Sequence, residues 1–278
     1  MQYSSVLLCA TFAVTSVYAH GVVTEAQGAN GVNMPALSVI DNTPRDCPTP
    51  FCGAEADTSI LVPGEAATMP LGRNSKGAVV AAPMIMNYMG GKANNTARDL
   101  HEMGTLYRRA AAATTAGVAT PAGTKEQGVA ASAGKGATAG LPTTDDQGVI
   151  SMTIHQVNQD GAGPFMAMVD ATSGGTDANA FKSAVMTQNV PGIGVAGIST
   201  ASVMDFPAKM QMPAGMTCSG TVGSATNVCV AKMSNGPPQY FGGSIAFTQS
   251  PAAKKRAIEY NMKMRRDAKA RRGVSDDE

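Results

Sequence analysis

Only three histidines occur in this 278-residue chain, His20, His101 and His155, and two of them stand where they could hold a metal. His20 follows Val17-Tyr18-Ala19, the small-residue end of a segment that reads as a secretory leader. That leader has a polar start without Lys or Arg and an apolar stretch over residues 6–17. Cleavage after Ala19 makes His20 the first residue of the mature chain. An N-terminal histidine offers two nitrogens from one position, its α-amine and its imidazole. A second imidazole completes three nitrogens in a T-shaped plane, a donor set that suits copper and leaves positions open for oxygen species. His155 is the better second ligand, because it lies in the most regular alternating segment, 149–157, and is followed by a polar turn of the kind that borders a surface site. His101, within Arg98-Asp99-Leu100-His101-Glu102, reads as part of an exposed helical turn. Each of the two has a plainer reading as well: His20 as an accident of the leader's end, His155 as an ordinary structural side chain.

Extended elements must position these residues. The chain holds 31 Gly and 16 Pro, only 5% aromatics and no Trp, a composition that favours turns and strands over a helical bundle. Residues 149–157, 165–169, 227–233 and 244–248 are alternating or short apolar runs bounded by Gly, Pro and Asn, which predicts an antiparallel sandwich or barrel. The organisation expected is a leader over 1–19, one domain over 20–250 and a basic tail over 251–278. Within the domain, residues 110–140 collapse to Ala, Gly and Thr, so a long surface loop covering little of the core is expected there. The tail has the composition of a helix but few apolar positions to bury. It reads as a solvated helical or disordered extension or, more pointedly, as an anchor to an anionic surface or cell wall. Lys254-Lys255-Arg256 also resembles a protease processing site.

Loss of the leader removes Cys9 and leaves Cys47, Cys52, Cys218 and Cys229, an even number suited to an oxidising compartment. Local pairs are expected, Cys47 with Cys52 beside Pro48 and Pro50, and Cys218 with Cys229 across a Gly-containing turn. Zinc is the competing reading, but the gaps fit no common finger and no His is near. Asn94-Asn95-Thr96 is a glycosylation sequon, with Asn94 the acceptor. The last 26 residues carry nine Lys/Arg and five Asp/Glu; the rest keeps 12 against 15, about −3, and so offers no basic face to nucleic acid. After the leader no apolar run is long enough to span a membrane, so no transmembrane segment is expected. Gly128 to Lys135 has the wrong spacing for a phosphate loop, and Gly243-Ser244 lacks the second Gly of a nucleophile elbow.

Several segments in a fixed order carry a resemblance. These are 153–165 (TIHQVNQDGAGPF), Asn189-Val190-Pro191-Gly192, Asp205-Phe206-Pro207, Gln211-Met212-Pro213-Ala214-Gly215, the Cys218 to Cys229 segment and Phe241-Gly242-Gly243. Together they resemble the fungal appressorium-specific secreted proteins, which are associated with infection structures and are in turn similar to lytic polysaccharide monooxygenases. That resemblance implies an all-β, immunoglobulin-like antiparallel sandwich that binds one copper ion and oxidises cell-wall polysaccharide during host infection. Carried onto this sequence, it implies a copper brace of His20 and His155, with Phe241 or Tyr240 at the axial position and Gln239 or Gln156 as a weaker neighbour. Relatives commonly read Ala-Gly-Pro-Phe-Gly-Gly where this chain has Pro237-Pro238-Gln239-Tyr240-Phe241-Gly242-Gly243, which leaves the axial residue open by one position. The lack of Trp argues against flat binding to crystalline cellulose or chitin. Two other functions stay in play: a non-catalytic surface or adhesion protein of virulence, contacting wall polysaccharide or host surface, and a copper-binding protein without turnover. Eighteen Met are compatible with the latter, although Met more often serves packing. The chain is expected to act as a monomer.

Overall fold

A computed structural model describes residues 20–90, 117–193 and 198–275. The leader, Asn94 and His101 lie outside the described residues. Thirteen strands run β1 Gly21–Gln27, β2 Asn33–Pro35, β3 Ser59–Ile60, β4 Arg73–Asn74, β5 Gly77–Ala78, β6 Val118–Ala119, β7 Val149–Gln156, β8 Met166–Asp170, β9 Lys182–Gln188, β10 Met204–Gln211, β11 Gly220–Val222, β12 Ala225–Ser234 and β13 Phe241–Phe247. Eleven of them form one path, β2-β1-β7-β10-β9-β8-β12-β13-β3-β4-β5, with β6 added to β10 and β11 to β12. All the paired strands are antiparallel. The sheet folds over at β9, so that β1 of one half faces β13 of the other. The approach is close enough that a Cβ on Gly243 would sit 2.9 Å from the Val23 Cβ. This is an all-β, sandwich-like architecture.

The core lies between the two halves. Ile150, Met152 and Ile154 of β7 are buried on alternate positions, facing Ala231 and Met233 of β12 and Ile245 and Phe247 of β13 within one apolar cluster. Met34, Met152, Met210 and Met233 are fully buried in it, so much of the methionine serves packing in a core short of aromatics. Both disulfides are local, Cys47–Cys52 and Cys218–Cys229. The second joins a loop residue to the middle of β12 with both side chains buried. Replacing Cys218 and Cys229 by Ser should lower stability by about 2–5 kcal/mol, read as an earlier chemical-denaturation midpoint.

The four sequence-predicted strands appear as β7, β8, β12 and β13. Strand β10 was hidden by Pro207, since proline within a run argues against a central strand. Here Pro207 falls in the gap between the pairing of β6 with Met204 and Asp205 and that of β9 with residues 209–211. One edge is open there, which is where a missing donor is tolerated. The small-residue segment differs from expectation too. Its described part, 117–140, forms β6 and two short helices, Gly128–Ser132 and Gly136–Ala139, which pack on the helix Ala81–Gly90. Ala131, Ser132 and Ala133 are buried, and a Cβ on Gly136 would press on the Tyr88 ring. Small side chains are what allow that close helix contact. The basic tail takes its helical option, a single helix over Pro251–Ser275 that docks by Ala253 and Ala257.

Candidate metal centre

His20 immediately precedes β1, and the register sets it beside the second histidine. Gly21 lies opposite Gln156 and Val22 opposite His155, while the His20 carbonyl accepts from the Val157 N–H at 2.9 Å. His20 and His155 therefore stand in the diagonal relation across two strands, for which side-chain bases lie roughly 7–8 Å apart. Two glycines make this seating possible. A Cβ on Gly21 would run into the Gly161 carbonyl, and one on Gly161 would run into the His20 carbonyl. The Gly161-Ala162-Gly163 turn thus presses backbone to backbone on His20 and Gly21. Gly161→Ala should cost about 1–3 kcal/mol, measured as a lower unfolding midpoint, because neither backbone segment can give way easily.

Around His20 the polar groups converge. Its Nδ1 lies 3.0 Å from Glu55 Oε1, close but not aligned as a hydrogen bond. Its backbone N–H donates to Asn158 Oδ1 at 2.6 Å, and Asn158 Nδ2 donates to Glu55 Oε1 at 3.2 Å. The imidazole stacks on Phe241 with ring centroids 4.3 Å apart and 27° between planes. Glu55 is held by the segment that contains the Cys47–Cys52 disulfide, itself anchored by the buried Arg45, which pairs with Asp57 and with Glu126. At the tip of that disulfide loop Phe51 is 99% exposed. Asp160 lies on the turn below, buried, with no hydrogen-bond partner for Oδ1. Burial holds its carboxyl above the usual carboxylate range, and the Glu55 charge adds to this.

His155 is completely buried. Its Nδ1 lies 2.8 Å from Oδ1 of Asp205, the residue directly across on β10. Its Nε2 is buried without any hydrogen-bond partner. With the proton on Nδ1 and facing a carboxylate, Nε2 presents a bare lone pair. That is the arrangement of a metal-ligating histidine with its supporting carboxylate. An orphaned buried acceptor otherwise costs about 1–3 kcal/mol. Among the described residues no three His, Cys, Asp or Glu side chains are arranged to hold a metal ion. A metal bound by the two histidines would need its third donor from the backbone nitrogen of His20.

The remaining predicted residues separate clearly. Phe241 is the aromatic against His20, whereas Tyr240 has a left-handed backbone (φ 58°) and turns the chain into β13 through its N–H to the Gly236 carbonyl. Gln239 is partly buried with an unpartnered Oε1. Gln156 is fully buried, its Nε2 within hydrogen-bond reach of Asn158 O, Ser199 Oγ and Ala201 O, while its Oε1 has no partner. Glu55, Asn158, Asp160 and Asp205 were missed as site residues. The last three lay inside segments already marked as distinctive, so their polarity was a readable signal. Glu55 had none, being 35 residues from His20 and brought to it only by the fold.

The model of the Egh16-like virulence factor family matches residues 18–240. The chain is 55% identical over 285 residues to the appressoria-specific virulence factor GAS2 of Pyricularia oryzae, covering 97% of each chain. It is 34% identical over 131 residues to the appressoria-specific virulence factor GAS1 of the same fungus, covering 44% of this chain and 49% of that one. No solved structure gives a significant match.

Proposed function

The chain belongs to the Egh16-like virulence factor family, and from that premise we propose that it is a secreted fungal protein of infection whose His20 and His155 hold one copper ion for the oxidation of cell-wall polysaccharide. The observation that carries this reading is the buried, unpartnered Nε2 of His155, backed by Asp205 and set diagonally from His20. As a peptide nitrogen the His20 N–H only donates to Asn158; released as an amine by cleavage after Ala19, it becomes a donor to metal as well. The ligand set is then the His20 amine, His20 Nδ1 and His155 Nε2. Copper held there supplies one-electron chemistry with oxygen species for breaking polysaccharide chains.

The surrounding side chains have definable work. Asp205 fixes the tautomer and orientation of His155. Phe241 covers one side of the His20 ring and keeps water from it. Glu55 and Asn158 orient the His20 imidazole and nitrogen, and the Asp160 carboxyl, held above its ordinary range, is placed to hold a proton beside them. Asp205→Asn should weaken copper binding about 10–100-fold by competition titration while leaving the fold intact. The function is tested by incubating copper-loaded protein with a reductant and plant or fungal wall glucans and looking for oxidised oligosaccharides. Such products support the enzyme. Tight copper without products leaves a copper-binding protein without turnover, and absence of both returns the protein to a non-catalytic role at the host surface.

A further inference from the structure

The C-terminal helix Pro251–Ser275 lies beyond the region matched by the family model and takes no part in the histidine site. Its first turns dock through Ala253 and Ala257, and its last hydrogen bond to the body runs from Asn261 Nδ2 to the Gly215 carbonyl. From 258 to 271 every residue is exposed, about 21 Å of helix at 1.5 Å per residue. The whole helix carries nine Lys/Arg against two Asp/Glu, five of the nine within that stretch, and the pair of Lys255 with Glu259 at 3.9 Å is exposed and so worth little.

The charges are not evenly spread. At 100° per residue, Lys254, Lys255, Arg265, Arg266 and Lys269 fall within a sector of about 120°, while Arg256, Lys263 and Arg271 lie on the other side with Asp267. The exposed apolar side chains divide instead: Ile258 and Met262 on the basic sector, Tyr260 and Met264 on nearly the opposite one. A helix that lies in a membrane interface needs one apolar face, and this one has none. The rest of the chain is about −3, which disfavours a broad anionic surface pressed against the whole molecule. A slender polyanion can follow the helix alone, and its carboxylates match the fork of the arginines.

We propose that the helix Pro251–Ser275 is a binding element for a linear carboxylated polysaccharide, a polyuronate, which tethers the protein to an acidic glycan independently of the histidine site. The test uses the full chain and a variant with Arg265→Gln, Arg266→Gln, Lys269→Gln and Arg271→Gln, glutamine being chosen to keep helix propensity. Helicity is checked by circular dichroism. The probes are polygalacturonate, a neutral glucan and phosphatidylserine vesicles. The expected result is polygalacturonate binding at low salt that falls steeply as ionic strength rises through about 0.15 M, weakened at least about tenfold in the variant, with vesicles not retained and any hold on neutral glucan the same in both forms. Failure to bind polygalacturonate at low salt would overturn the proposal, as would equal binding by the variant. Tighter binding to vesicles would overturn it in favour of a membrane contact.

Discussion

His155→Gln should lose copper affinity by more than about a hundredfold, beyond what the loss of an outer-shell partner costs, while the protein stays folded. Glutamine keeps much of the imidazole volume and puts an amide where the unpartnered nitrogen stood, but an amide nitrogen has no lone pair to give copper and its oxygen is a much weaker donor to it. His155→Ala should lose copper as completely and destabilise besides, since it opens a cavity at a fully buried position and strips Asp205 of its partner. The measurement is a competition titration with a chelator of known affinity. Retention of native affinity by either variant would remove His155 from the site.

The second large effect concerns a group apart from the histidines. Glu25 on β1 is buried, receiving hydrogen bonds from Gln27 Nε2 at 2.6 Å and Thr153 Oγ1 at 3.1 Å. Burial pushes its carboxyl up to about 8 from an ordinary 4.5, overcoming those two bonds and helped by the charges of Glu126 and Asp205. Between these values the folded protein keeps a proton that the unfolded chain releases. The Glu25 contribution to stability is therefore most favourable below about pH 4.5, falls as pH rises to about 8, and levels off above it. At 1.36 kcal/mol per unit the total is on the order of 3–5 kcal/mol. Glu25→Gln, neutral at every pH, should flatten this slope, checked by urea unfolding midpoints at intervals from pH 4.5 to 8. A slope unchanged by the substitution would mean that Glu25 is ionised in the folded state.

Much of this was legible before the fold was seen, and the parts that were not have identifiable causes. Strand β7 declared itself because one face is apolar: Ile150, Met152 and Ile154 alternate with more polar positions. Strand β10 did not, because Pro207 masks the pattern and only the gap between β6 and β9 makes it tolerable. Small residues over 117–140 looked like an absence of structure, yet the small side chains are what admit Gly136 to the Tyr88 ring. Composition reports how much a segment can bury and says nothing of how closely two backbones meet. The same distinction runs through the site. His20 and His155 could be picked out by rarity and place, and the Gly-Ala-Gly turn as a pattern, but the reason for the glycines is the backbone contact of Gly161 with His20 and Gly21. Glu55 was beyond reach, since its role depends on the disulfide loop and the buried Arg45 pairs that carry it to His20.

The central claim is that the His20 nitrogen, freed by cleavage, completes a copper site with two imidazoles. Its most direct test is copper stoichiometry and the Cu(II) spin-resonance spectrum of protein beginning at His20, beside a form carrying one extra residue before it. One tight copper with a nitrogen-rich axial signal in the first, lost in the second, is the predicted result. Equal copper binding by both forms, or none by either, would contradict the account and leave His20 and His155 as structural residues.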